Sequence, residues 1–248
     1  MKRTTLALAL CLLLTTPSLA KKRLFAYLPA TPSDTAIIVL PGGSYSWLDK
    51  KTEGRDVAEA LRQRGFAAYV LHYRVQGGFA YASRIRYLIR GHQYPDAQND
   101  LAETIRQVRQ HHRVVGVVGF SAGGHLALCA KNVDFIGSIY PVVTLREPYV
   151  HKRSRRALLG EWRRHNRTMI DSLSMELHTD RMAAPVFLLN CKDDPIVDYH
   201  NSVLLDSALT ANRRPHVYYQ YPTGGHGFGT TRHNWLDRFI DFFRKIKN

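Results

Sequence analysis

Five consecutive residues, Gly119-Phe120-Ser121-Ala122-Gly123, have the types and spacing for nucleophilic attack on a carbonyl. A G-x-S-x-G run alone arises by chance in about one protein in twenty at ordinary Gly and Ser frequencies. Its surroundings are more specific. The apolar run Val114–Val118 precedes it, and a small-residue helical pattern, Gly123-Gly124-His125-Leu126-Ala127-Leu128, follows. Strand, sharp turn and helix in that order push a serine out at the top of a sheet. The glycines have a steric reason, because a side chain at 119 or 123 would collide with adjoining backbone.

A serine hydroxyl is a weak nucleophile until a neighbouring base takes its proton. Where this turn is used, an acid and then a histidine follow the serine along the chain. The acid is expected in Lys192-Asp193-Asp194-Pro195-Ile196-Val197, after the apolar run Val186–Asn190. Of the adjacent pair, one would orient and stabilise an imidazolium. The other would face solvent or bind the turn backbone. Asp198 is a third candidate. The chain has 12 histidines, so position must choose the base. His226, flanked by Gly224, Gly225 and Gly227 after the next strand, suits an imidazole that must reach Ser121, whereas His72 and His125 fall at the wrong places. Donors for a tetrahedral oxyanion are expected from the backbone N–H of Ala122 and from Pro41-Gly42-Gly43-Ser44-Tyr45, a loop following Ile37–Leu40. A phosphate cradle fits that loop poorly, since no Lys-Ser/Thr follows it. Tyr45 and Trp47, beside it, could offer a flat surface to a sugar or aryl group, or could pack.

Positioning these residues requires alternating strands and helices. Strand-like runs are Leu24–Leu28, Ala36–Leu40, Ala67–Tyr73, Val114–Val118, Phe135–Tyr140, Val186–Asn190 and Val217–Tyr221. Helical patterns cover Glu53–Arg64, Asp96–His111, Ala122–Lys131, Asn201–Ala211 and Asn234–Ile246. The alternation predicts an α/β fold: a mostly parallel central sheet of about seven to eight strands, flanked by helices on both faces. Residues 146–182 break the rhythm, with no clear strand and seven Lys or Arg against one acid, Glu161, between 152 and 167. Such a basic insertion would lie over the mouth of the site or form a solvated helical face.

The 248 residues, 45% of them apolar and 22% charged, predict one folded domain spanning 21–248. Lys2 and Arg3, the apolar stretch Leu6–Leu14 and the small-residue end Ser18-Leu19-Ala20 read as a cleavable signal peptide over residues 1–20. Cleavage after Ala20 would give a secreted or periplasmic protein. It leaves 33 basic and 20 acidic residues, a net charge of +13. That field predicts contact with acidic polymers or an anionic envelope surface. Nucleic acid is not an expected partner, because no reader motif accompanies the charge. Cys129 and Cys191 are expected as buried free thiols. No metal motif is visible, and the chemistry needs no metal or cofactor.

The ordered set Pro-Gly-Gly-Ser-Tyr, Tyr73-Arg74, Tyr94-Pro95, Gly-Phe-Ser-Ala-Gly-Gly-His, Leu158-Leu159-Gly160, Asp194-Pro195-Ile196-Val197 with Asn201-Ser202, and Gly-His-Gly-Phe resembles the bacterial carbohydrate-esterase branch of the α/β-hydrolases. That branch holds acetyl xylan esterase-like and feruloyl esterase-like proteins, and the likeness runs from about Phe25 to the C-terminus. The resemblance implies Ser121 as nucleophile, Asp194 rather than Asp193 as acid, His226 as base, and Gly43, Ser44 and Ala122 at the oxyanion hole. Two departures stand out: Ser44 replaces a common third glycine, and the strong positive charge is not a trait of the group. The implied activity is hydrolysis of small acyl esters, acetyl or feruloyl, on a carbohydrate that could be anionic. The alternatives are a prolyl-type serine peptidase and an inert hydrolase fold used as a binding module.

Overall fold

The computed structural model describes residues 22–83, 87 and 90–247; the signal-peptide reading of residues 1–20 lies outside them. Seven strands form one sheet. They are β1 (Arg23–Tyr27), β2 (Thr35–Leu40), β3 (Ala67–His72), β4 (Val114–Phe120), β5 (Phe135–Ile139), β6 (Val186–Cys191) and β7 (His216–Tyr221). The spatial order is β1-β3-β2-β4-β5-β6-β7. β1 pairs antiparallel with β3, and all other pairings are parallel. Every strand-like run of the sequence is a strand here, within a residue or two at its ends.

The four central strands β2, β4, β5 and β6 are buried along their whole length. Their unbroken Val/Ile/Leu/Phe character reflects this burial on both faces. Along β2, Ala36, Ile38 and Leu40 enter one apolar cluster, while Ile37 and Val39 enter the other. The first cluster is closed by α3 (Asp96–Arg109), α4 (Ala122–Leu128), α5 (Lys152–Arg163) and α7 (His200–Ala211). The second is closed by α1 (Asp56–Gln63) and α8 (Trp235–Lys247). There Phe243 stacks on Phe135 with centroids 4.3 Å apart. Each such aliphatic or aromatic side chain contributes about 1.5–3 kcal/mol on burial.

Three helices were not among the helical patterns of the sequence: α2 (Gly78–Ala82), α5 and α6 (Arg167–Ser172). Residues 146–182 are indeed free of strand: α5, α6 and a 3-10 turn at Met175–Arg181 fill them. Among the described residues no helix is long and apolar enough to cross a membrane.

The topology decides where a site can form. From β2 the chain crosses to β3 on one side, then returns to place β4 on the other. Loops leaving neighbouring parallel strands in opposite directions open a crevice at the strands' C-terminal ends. Leu40 and Gly119 are register partners there, so the 41–45 loop and Ser121 leave the sheet side by side.

Candidate active site

Ser121 has φ +54° and ψ −117°, a backbone conformation that an L-residue rarely adopts. Neighbouring glycines make room for it. A Cβ on Gly119 would lie 2.0 Å from the Gly123 carbonyl oxygen, and one on Gly123 would lie 2.1 Å from that of Leu40. The Ser121 N–H donates to the Ile139 carbonyl at 3.0 Å, and the Ser121 carbonyl accepts from His125 and Val142. The turn is thus tied to β5 and to α4, and Ser121 is only 4% exposed.

The structure brings Ser121, His226 and Asp194 together from loops after β4, β7 and β6. Asp194 Oδ2 lies 2.6 Å from His226 Nδ1, and His226 Nε2 lies 2.9 Å from Ser121 Oγ. A carboxylate can only accept, so Nδ1–H donates to Asp194, which leaves the Nε2 lone pair to accept from the serine hydroxyl. The Asp194 side chain is buried, and its Oδ1 accepts from the N–H groups of Ile196 and Val197 at 2.8 and 3.0 Å. The neighbouring Asp193 does a different job. Its carboxylate accepts from Gly224 and Gly225 at 3.1 and 2.9 Å and so holds the backbone of the histidine loop. These hydrogen bonds, that from Gly225 foremost, lower the Asp193 pKa. Asp198 binds His200, away from the serine.

The amides of Gly43, Ser44 and Ala122 have no hydrogen-bond partner among the described residues. Gly43, Ser44 and Tyr45 all have positive φ, at 133°, 56° and 59°. Gly42 is committed otherwise: its N–H donates to Glu53 Oε2 at 2.7 Å.

Tyr45 does not offer a substrate surface. It is 2% exposed, its ring packs on Tyr73, and its hydroxyl meets His125 Nδ1 at 2.8 Å. His125 Nε2 lies 2.8 Å from the Leu173 carbonyl, which can only accept, so Nε2 carries the proton and Nδ1 accepts from Tyr45. Burial pushes the His125 pKa down to about 4 and keeps the ring neutral. One imidazole therefore links α4, the 41–45 loop and the end of α6. Trp47 is half exposed, at 50%.

Two residues near the serine escaped the sequence reading. Glu53, 3% exposed, accepts from Gly42 and, at 2.9 Å, from the Tyr140 hydroxyl. Burial raises its pKa, opposed by the bonds from Tyr140 and Gly42 and by His226. Tyr140 packs its ring 4.7 Å from that of His226, and its oxygen accepts from Gly229 N–H at 3.2 Å. The pair joins the 41–45 loop to the histidine loop beneath Ser121. In the sequence, Glu53 is one more acid at the start of a helix, and its partner Tyr140 lies 87 positions away.

The basic insertion supplies the rim. His151, just before α5, is close enough to feel His226 and Asp194. Burial first, then His226 and Arg153, hold its pKa down to about 4. Its Nδ1 is 2.7 Å from Ser154 Oγ. Arg153 Nη2 reaches Ser46 Oγ at 3.5 Å. Cys191 is buried, Cys129 is partly so, and both are free thiols. Among the described residues no cluster of three or more His, Cys, Asp or Glu is placed to hold a metal ion.

Comparison with known proteins places the chain among hydrolases. A family model described as the prolyl oligopeptidase family matches residues 55–248, a segment that contains Ser121, Asp194 and His226 but begins after the 41–45 loop. An acetylxylan esterase of Xylanibacter ruminicola is 29% identical over 225 residues, covering 84% of this chain and 44% of that protein. Endo-1,4-beta-xylanase B of Butyrivibrio fibrisolvens is 28% identical over 232 residues, covering 82% of this chain and 34% of its own. The chain thus spans less than half the length of these two relatives. Among solved structures, an acetyl ester-xyloside bifunctional hydrolase from Caldicellulosiruptor lactoaceticus superposes with a TM-score of 0.78 at 28% identity, covering 91% of this chain and 88% of the other. A propionate-bound esterase from Thermogutta terrifontis, 22% identical, superposes at 0.69 over 91% of this chain and 89% of that one. The second shares the fold.

Proposed function

The chain belongs to the prolyl oligopeptidase family of α/β-hydrolases, and we propose that it is a serine esterase removing small acyl groups, acetyl or feruloyl, from a carbohydrate. One observation carries the reading: the continuous hydrogen-bonded line from Ser121 Oγ through His226 to a buried Asp194. In this mechanism Ser121 attacks the ester carbonyl while His226 Nε2 takes its proton. The amides of Gly43, Ser44 and Ala122 receive the oxyanion. Asp194 stabilises the imidazolium formed on His226, which then protonates the departing alcohol. Water, deprotonated by the same imidazole, attacks the acyl-enzyme and releases the acid. No group beyond these side chains and amides takes part in the steps. Each oxyanion donor should be worth about 2.7–4 kcal/mol in the transition state.

Support for an ester rather than an amide comes from the acetylxylan esterase and the acetyl ester-xyloside hydrolase among the relatives. The family name keeps a prolyl-type peptidase as the second reading. Assays on 4-nitrophenyl acetate and on a prolyl anilide separate the two: turnover of the acetate alone is expected, and turnover of the anilide alone would replace the proposal. A fluorophosphonate that fails to label folded protein would point to an inert binding module. The acyl group is tested with acetylated and feruloylated glycans, wild type beside Ser121→Ala. We further propose export from the cytoplasm through residues 1–20, for which the exported protein should begin at Lys21.

A further inference from the structure

The arginines of α5 are not alike. Arg155 donates to the Leu145 carbonyl and reaches Glu147. Arg156 is paired with the buried Glu161. Arg163 donates to the carbonyls of Leu159 and Tyr94. Arg153 is exposed and makes no ion pair among the described residues, yet it is not loose. Its guanidinium carbon sits 5.2 Å from the centroid of the Tyr81 ring, and its Nη2 is 3.5 Å from Ser46 Oγ. Ser46 Oγ donates in turn to the Gly43 carbonyl at 3.2 Å. A fixed, uncompensated cation therefore stands two weak contacts from the loop assigned to the oxyanion. Lys152 and Arg167, also exposed, make no side-chain hydrogen bond among the described residues.

A guanidinium stacked on an aromatic ring has lost much of its conformational freedom before a ligand arrives. Its planar fork matches a carboxylate, whereas a neutral hydroxyl leaves its charge unanswered. A substrate that gains from this position must carry an anion close to the reacting ester. We propose that Arg153 anchors a carboxylate subsite, and that the ester is borne on a glycan containing uronic acid, with the uronate on Arg153 and the acylated sugar at Ser121. Tyr81 and Ser46 act as positioning residues for the guanidinium. This inference rests on the esterase reading and narrows its substrate class.

The test compares kcat/KM on two acetylated xylo-oligosaccharides of equal length, one neutral and one carrying a glucuronic acid. Wild type should favour the acidic substrate at low salt, and the preference should shrink as salt screens the pair. Arg153→Gln should reduce the acidic-to-neutral ratio about tenfold, the lower end for a hydrogen bond to a charged group. Arg153→Lys should restore part of it. Lys152→Gln removes the same charge one residue away and should leave the ratio as it is. If Arg153→Gln moves the ratio no further than Lys152→Gln does, the preference comes from the overall field and the subsite is overturned. A wild type without preference overturns it too. A chain inactive on every ester would sink the esterase reading, and calorimetry then still decides the subsite. Ser121→Ala protein should bind the deacetylated acidic oligosaccharide more tightly than the neutral one, and lose that difference with Arg153→Gln.

Discussion

Beneath Ser121 the neighbours are buried and joined at short range: Glu53 to Gly42 and Tyr140, His125 to Tyr45 and Leu173, Asp194 to His226. Above it, α5 and the segment before it present arginines that range from largely covered, as Arg155, to exposed, as Arg153, held by a few carbonyls and carboxylates. The floor is specified by shape and by complete pairing. The rim is specified by charge. A change in the floor should therefore appear in kcat and in folding, because a buried group stripped of its partner costs its full desolvation. A change in the rim should appear in substrate choice and salt dependence, because an exposed cation loses little when its surroundings change.

The largest effect expected tests whether the floor works as a unit. Ser121→Ala and His226→Ala should each lower kcat on 4-nitrophenyl acetate about a millionfold, and the double variant no further. A double variant much slower than either would mean that the two residues act separately. Asp194→Asn should follow, at about ten-thousandfold in kcat, because the amide favours the wrong tautomer of His226.

Glu53→Gln comes next. An amide cannot accept from Gly42 and Tyr140 together without offering one of them a donor. A displaced 41–45 loop should cost between about ten- and a hundredfold in kcat with little change in KM. Steady-state kinetics yielding a KM effect alone would move Glu53 from the floor to the substrate.

Tyr45→Phe leaves His125 Nδ1 unpaired and should cost about 1–3 kcal/mol in urea unfolding. The same histidine sets a pH dependence. Its folded pKa of about 4 lies below the ordinary 6.5, so the unfolded chain binds a proton that the folded chain refuses. This part of the stability is present above pH 6.5 and lost as the pH falls towards 4. Melting curves of wild type and His125→Gln should converge over that window. Smallest is the rim: Glu147→Gln, at an acid 56% exposed beside Arg155, should change stability by less than about 1 kcal/mol.

What could be read in advance follows the same division. The seven strands were legible because strands buried on both faces must be apolar throughout. The order of serine, acid and histidine was legible because the loops after successive strands gather at one end of a parallel sheet. Choosing between Asp193 and Asp194 needed a family resemblance, since the two differ only in which way a turn faces. Tyr45 stayed open between a substrate surface and a packing residue, because an aromatic beside glycines in a loop can face either way. Its φ of +59° goes with a ring packed inward on Tyr73. Glu53 and Tyr140 left no local signal, as their meaning lies in a contact made across the fold. The rim stayed open between a mouth and a solvated face, because a run of arginines does not disclose which of them will find carboxylates.

His226 hangs from β7, the last strand of the sheet, which pairs with β6 alone and whose residues are only partly buried. Ser121 leaves β4, buried from end to end. The two ends of the Ser121–His226 hydrogen bond are thus anchored in parts of unequal resilience, and fraying of the outer strand would part them while the core stayed intact. On warming, turnover should therefore fade reversibly before the circular dichroism of the helices begins to change.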